Sequence, residues 1–119
     1  MKAGDTFVLP DWTGQHLHII LAILPDGCLV LCHFTTRRSY SDSTCIIKAQ
    51  EHSFIGAETA VRYDQAYICC GDGLDALERI IVKHYEPLKA DILERVRKGA
   101  FDSPQTPDKI KAALAKALK

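Results

Sequence analysis

Up to about Cys70 the apolar positions come in short runs, and beyond Gly71 they recur with a helical period. The runs Thr6 to Leu9, His16 to Leu24, Cys28 to Thr35, Thr44 to Ile47 and Val61 to Cys69 are rich in β-branched residues and bounded by turn formers. They predict antiparallel strands. Pro25-Asp26-Gly27 joins the second run to the third. Asp-Gly predicts a tight hairpin turn, because glycine reaches positive φ without a Cβ clash. The polar stretch from Arg37 to Ser43 predicts a long loop.

Leu74, Leu77, Ile81 and His84 follow helical spacing, with Asp72 placed to cap the start. Pro87 interrupts that helix. A second helix carries Leu88, Ile92, Leu93 and Val96, and Gly99 offers its C-terminal stop. A third begins with Thr106 as N-cap and Pro107 in its first turn, and Ile110, Ala113, Leu114, Ala117 and Leu118 form its apolar stripe. Strands followed by helices, not alternating with them, indicate an α+β chain built on a small antiparallel sheet or barrel. Residues 1–70 form the β part and residues 71–119 the helical part. The last helix either closes over the sheet or docks on a partner chain.

A chain of 119 residues with 47% hydrophobic content supports one core and is too short for two ordinary domains. Fifteen basic residues balance fifteen acidic ones, so no global positive field draws in nucleic acid, and any such contact must be local. No segment has the unbroken apolar length of a membrane span, and the N-terminus lacks the pattern of a cleaved leader. A cytoplasmic protein without membrane contact is the expectation. The five cysteines, Cys28, Cys32, Cys45, Cys69 and Cys70, lack paired zinc or redox spacings and read as buried apolar fillers. Cys28 and Cys32 lie too far apart on an extended strand to bridge each other.

The hairpin concentrates the chemistry. His16 and His18, two apart on one strand, project from the same face. The next strand ends in Thr35, Thr36, Arg37 and Arg38, at the end of the hairpin away from its turn. Cleavage of RNA through its own 2′-hydroxyl needs a proton acceptor, a proton donor for the leaving 5′-oxygen, and donors for the phosphate charge. Histidine suits both proton roles near neutral pH. On this reading His16 and His18 are base and acid, and Thr36 joins them at the catalytic centre. Thr35, Arg37 and Arg38 hold the substrate, and His52 and Tyr63 add a donor or a stacking face.

Each of these residues also has a structural reading. His33, between Cys32 and Phe34, belongs to the barrel wall; His52 fixes its loop through a backbone carbonyl; His84 on the first helix faces solvent or a partner. Tyr63 is equally a core residue. His16-x-His18 with His33 or His52 permits a three-histidine metal site without specifying one. No metal or other cofactor is expected.

Gly4-Asp5 before an aliphatic strand, the run HLHIILA from His16, and a following strand ending in Thr-Thr resemble the front half of the PemK/MazF plasmid-maintenance toxins. Asp42 to Ile47, Glu51 to Ile55 and Val61 to Tyr63 extend the resemblance towards a PemK-like subgroup, over roughly the first seventy residues. The resemblance implies a small SH3-like β-barrel of the PemK/MazF/CcdB type followed by C-terminal helices. It also implies a toxin of a toxin-antitoxin system: an endoribonuclease that cleaves single-stranded RNA without a metal, as a homodimer neutralised by a cognate antitoxin protein. Members of the family place a threonine at the end of the third strand, matched by Thr35 or Thr36. Their arginine-proline pair at the start of the second strand is replaced here by His16-Leu17. That substitution removes a guanidinium suited to phosphate oxygens. The alternative is a non-catalytic module of the same fold that grips a protein target, as the gyrase-poison toxins do, or a degenerate member of the fold.

Overall fold

The computed structural model describes residues 1–11 and 14–118. Its centre is the hairpin of β2 (Gly14–Ile23) and β3 (Leu29–Thr36). Gly27 takes φ +90°, the Asp26 carboxylate accepts from the Cys28 N–H at 3.0 Å, and the Leu24 N–H donates to the Cys28 carbonyl. The Asp-Gly turn therefore forms as its residues require. Strand β1 (Thr6–Asp11) pairs along the outer edge of β2. On the far side of β3, β5 (Thr59–Val61) pairs with its second half and β6 (Tyr67–Cys69) with its first. The short β4 (Ile46–Ile47) adds to β5, and β7 (Lys83–Tyr85) adds to β1.

The result is an α+β fold with a seven-stranded antiparallel sheet in the order β4-β5-β3-β2-β1-β7 and β6 beside β3. Among the described residues no pairing joins β4 to β7. The helices are α1 (Asp72–Ile80), α2 (Ala90–Asp102) and α3 (Asp108–Ala117).

Alternation along the strands gives the sheet two apolar faces. Val8, Leu17, Ile19, Val30, Cys32 and Phe34 form one, packed with Ile92, Val96, Ile110 and Leu114 of α2 and α3. The alanine-rich stripe of α3 thus closes over its own sheet. Phe7, Leu9, Ile20, Leu29 and Leu31 form the other face, capped by Leu77 of α1. A bulge in β2 between Ile20 and Ala22 brings both Leu21 and Ala22 onto the α2/α3 side.

Several sequence-based expectations need correction, beginning with the helix starts: Gly71 and Pro107, not Asp72 and Thr106, take the N-cap positions of α1 and α3. The run Val61 to Cys69 is not one strand, because a single helical turn at Tyr63–Gln65 divides β5 from β6. The first helix stops at Ile80 and His84 lies on β7, where Val82 donates to the Val8 carbonyl and the segment completes the edge of β1. Sheet pairing outweighs a helical period that only one or two side chains carry.

Gly99 does not end α2, which runs on to Asp102. Glycine is needed there because a Cβ would lie within 3.0 Å of Tyr63 Cζ and Cys45 Cβ and closer still to the Tyr63 hydroxyl. Tyr63 is fully buried, and its hydroxyl donates to the Val96 carbonyl at 2.8 Å. Finally, Cys28 and Cys70 are not separate fillers. The register places Leu29 opposite Cys69, so Cys28 and Cys70 face each other with Cα atoms 4.5 Å apart and form a disulfide. Cys32 and Cys45 are buried thiols, and Cys69 is half-buried.

Gly99→Ala is expected to destabilise the fold by at least about 1–3 kcal/mol, the range for overpacking a core. The same substitution at an exposed helical site stabilises by up to about 1 kcal/mol. Urea denaturation gives the sign, and a stabilised variant would remove the Tyr63 contact as its reason. The disulfide closes a separation of 42 residues, so its reduction should lower stability by about 2–4 kcal/mol without changing the native far-ultraviolet circular dichroism. Equal denaturation midpoints with and without reductant would contradict that contribution.

Candidate functional site

Pairing in register lines up rings across the sheet. His84 on β7, Phe7 on β1, His18 on β2 and His33 on β3 are successive cross-strand partners. Direct partners project from one face, so their side chains meet. Phe7 and His18 stack with centroids 6.1 Å apart and planes 4° from parallel, and His84 meets Phe7 edge-on. His33 lies 5.0 Å from His18 and 5.2 Å from His16, completing a row of three imidazoles. The shared face of His16 and His18 is as the strand period requires. His33 joins them for a reason no single strand displays: the hairpin register.

The row leads into a cleft of about 880 Å³ at the open end of the hairpin. Pockets that take small molecules span about 300–1,000 Å³. His16, His33, Thr35 and Thr36 line it from β2 and β3; Arg38, Tyr40 and Asp42 come from the loop after β3, and Phe54 from a second loop. Arg62 and Asp64, flanking Tyr63, also line it. The structure therefore brings His16, Thr35, Thr36 and Arg38 together. It places the other sequence-based candidates elsewhere.

His18 lies outside the cleft lining, its Nδ1 hydrogen-bonded to the Tyr67 hydroxyl at 2.9 Å. Burial raises the Tyr67 pKa, which keeps that hydroxyl a neutral phenol. Arg37 turns to Glu58 in an exposed ion pair at 2.8 Å, beside a smaller pocket of about 350 Å³. Such a pair contributes at most about 1 kcal/mol. His52 is buried: its Nδ1 accepts from the Phe54 N–H at 3.1 Å and its Nε2 donates to the Glu86 carbonyl at 2.8 Å. Those partners select the neutral Nε2–H tautomer and give the ring the loop-fixing role. Tyr63 is a core residue bound to α2. His33, Tyr40, Phe54, Arg62 and Asp64 are cleft residues that sequence reasoning did not place there. The Thr-Thr-Arg-Arg end of β3 was the nearest signal.

The cleft's charges are organised by pairing. Arg62 forks onto Asp64 with two hydrogen bonds of 2.9 Å, which raises the guanidinium pKa and lowers that of the carboxyl. Asp42 is partly desolvated, yet hydrogen bonds from the Ser103 hydroxyl and from Thr44 hold it below the ordinary carboxyl range. His16 Nδ1 lies 3.3 Å from the Phe34 carbonyl, an acceptor only, so Nδ1 carries the proton and Nε2 is the basic nitrogen of the neutral ring. No three His, Cys, Asp or Glu side chains among the described residues are arranged to hold a metal ion. No helix described is long and apolar enough to cross a membrane. Compared with family models, curated proteins and solved structures, the chain matches none.

Among the described residues, four carboxyls carry a lowered pKa. Asp42, Glu51 and Asp64 are held down by hydrogen-bond partners, and Glu86, hydrogen-bonded by Ser53, falls from 4.5 to about 2. A depressed native pKa contributes stability that is complete above the unfolded value and lost as pH falls through the folded one. The urea midpoint should therefore change little through these groups between about pH 7 and pH 5 and fall steadily below that. Glu86→Gln should remove part of the acid loss, and an unchanged acid slope in that variant would contradict the assignment to Glu86.

Proposed function

We propose that this chain is an endoribonuclease that cuts single-stranded RNA by attack of the substrate's own 2′-hydroxyl. The observation that carries the reading is the pair His16 and His33, with ring centroids 5.2 Å apart in the lining of one cleft. One phosphate fits within reach of both rings. One imidazole takes the 2′-hydroxyl proton as that oxygen attacks phosphorus, and the other protonates the departing 5′-oxygen. His16 suits the base role through Nε2. Thr35, Thr36 and Arg38 then serve as donors for the charge gathering on the phosphate oxygens. Arg62, oriented by Asp64, adds a second guanidinium in place of the family arginine absent at position 16. His18 acts as a positioning residue, held by Phe7 and Tyr67 against His33.

The wider reading is a toxin of the PemK/MazF type, a homodimer silenced by a small antitoxin. The support for a barrel kinship is β3, which pairs with β2 on one edge and with both β5 and β6 on the other. Cytoplasmic residence belongs to the same proposal. A reducing cytoplasm would hold Cys28 and Cys70 as thiols, so alkylation of the protein in intact cells should find all five cysteines reactive once denatured.

The test is incubation of the purified chain, with chelator, with a long unstructured RNA, reading the ends of the products. A 2′,3′-cyclic phosphate and a 5′-hydroxyl are expected. His16→Ala and His33→Gln should each slow cleavage by about 100-fold or more at unchanged thermal stability, the range for losing a general acid or base. The bell-shaped pH profile should lose one limb in each. Unchanged rates in both variants, or no cleavage by the parent chain, would overturn the proposal.

A further inference from the structure

We infer, building on the ribonuclease reading of the same cleft, that Tyr40 and Phe54 are stacking platforms for unpaired bases on either side of the phosphate held at His16 and His33. Tyr40 is 84% exposed, although nearly all other large rings of the described chain are at least half-buried. Its ring keeps most of its apolar area in water while lining the cleft. The turn that presents it is held in place. The Arg38 N–H bonds the Ser41 hydroxyl at 2.8 Å, Ser41 N–H returns to the Arg38 carbonyl, and the next residue, Asp42, is tied to Ser103 of the helical layer.

Phe54 faces the cleft from a different loop and is 37% exposed, far less than Tyr40. Its ring rests edge-on against Tyr85, with centroids 5.1 Å apart and planes at 72°, and its N–H is bound by buried His52. Tyr85 thus backs the Phe54 ring, and the turn's hydrogen bonds fix the backbone that carries Tyr40. The same lining offers guanidinium groups from Arg38 and Arg62 and side-chain amides from Gln15, Gln65 and Gln105. Flat apolar faces, phosphate donors and amides matched to base edges together fit a single strand with splayed bases. A base-paired helix keeps its faces stacked internally and gains nothing from the two rings.

Binding is measured by fluorescence anisotropy with a short, unstructured, labelled oligonucleotide whose 2′-hydroxyls are replaced by hydrogen, so that it stays intact. Tyr40→Ala and Phe54→Ala should each weaken binding by about 5- to 100-fold, the effect of removing one base-stacking ring. Tyr40→Phe and Tyr40→Trp should bind like the parent. Replacing the contacted base by an abasic sugar should erase the difference between the parent and Tyr40→Ala. Equal affinity of Tyr40→Ala and the parent, or equal loss in Tyr40→Phe and Tyr40→Ala, would overturn the inference. Ring-dependent binding by a chain that cuts no RNA would sustain the stacking role while removing the ribonuclease. Cleavage with no dependence of binding on either ring would do the reverse, and no binding to any oligonucleotide would remove both.

Discussion

The fit of Tyr63 into the notch left by Gly99 joins the sheet to α2, and the cleft wall depends on that join. A fully buried phenol must hydrogen-bond or pay a desolvation cost of several kcal/mol, and the Val96 carbonyl supplies its partner. Reaching that carbonyl brings the ring against the helix backbone, where only a residue without Cβ leaves room. The same anchorage folds the chain into a tight turn at Tyr63, which points its neighbours Arg62 and Asp64 outward into the cleft. One buried residue therefore sets both the core and the adjoining part of the site.

Helix α2 extends this clamp along its length. Arg95 reaches the Glu51 carboxylate at 2.6 Å and the Ile46 carbonyl at 2.8 Å, holding β4 and the loop beyond it. Arg97 donates to the Leu21 carbonyl at 2.8 Å, at the bulge of β2. Ser103, just past the helix end, bonds Asp42 at the mouth of the cleft. The loops that line the cleft are thus tied to one helix by charged or hydroxyl donors, and carboxylates with lowered pKa record those ties. Rigid presentation is what a site needs if its groups are to meet a substrate without a large ordering cost.

The site itself arises where two requirements of the sheet meet. One face of β2 and β3 is closed by α2 and α3, and the other is covered by α1 only over Phe7, Leu9, Ile20, Leu29 and Leu31. Towards the open end of the hairpin that face carries imidazoles in place of aliphatic side chains, with His16 and His18 half-buried and His33 buried. Imidazole stacks on Phe7 as a flat apolar ring and still hydrogen-bonds at its edge, which suits His18 to its half-buried position.

Local pattern by itself determined the hairpin, its Asp-Gly turn, the shared face of His16 and His18, the polar loop after Thr36 and the apolar stripe of α3. Each rests on residues within a few positions of one another, where side-chain period and backbone preference act directly. Tertiary structure alone decided the rest. His33 joined His16 through hairpin register, His84 became part of β7 because the edge of β1 was open, and Cys28 met Cys70 through the pairing of β3 with β6. His52 and Tyr63 were withdrawn from the cleft by hydrogen-bond partners more than thirty positions away, Glu86 and Val96. Gly99 stayed inside its helix because of a ring equally distant in the chain. Such partners leave no periodic trace, since a contact closed by the fold constrains two separate positions and not the spacing around either one.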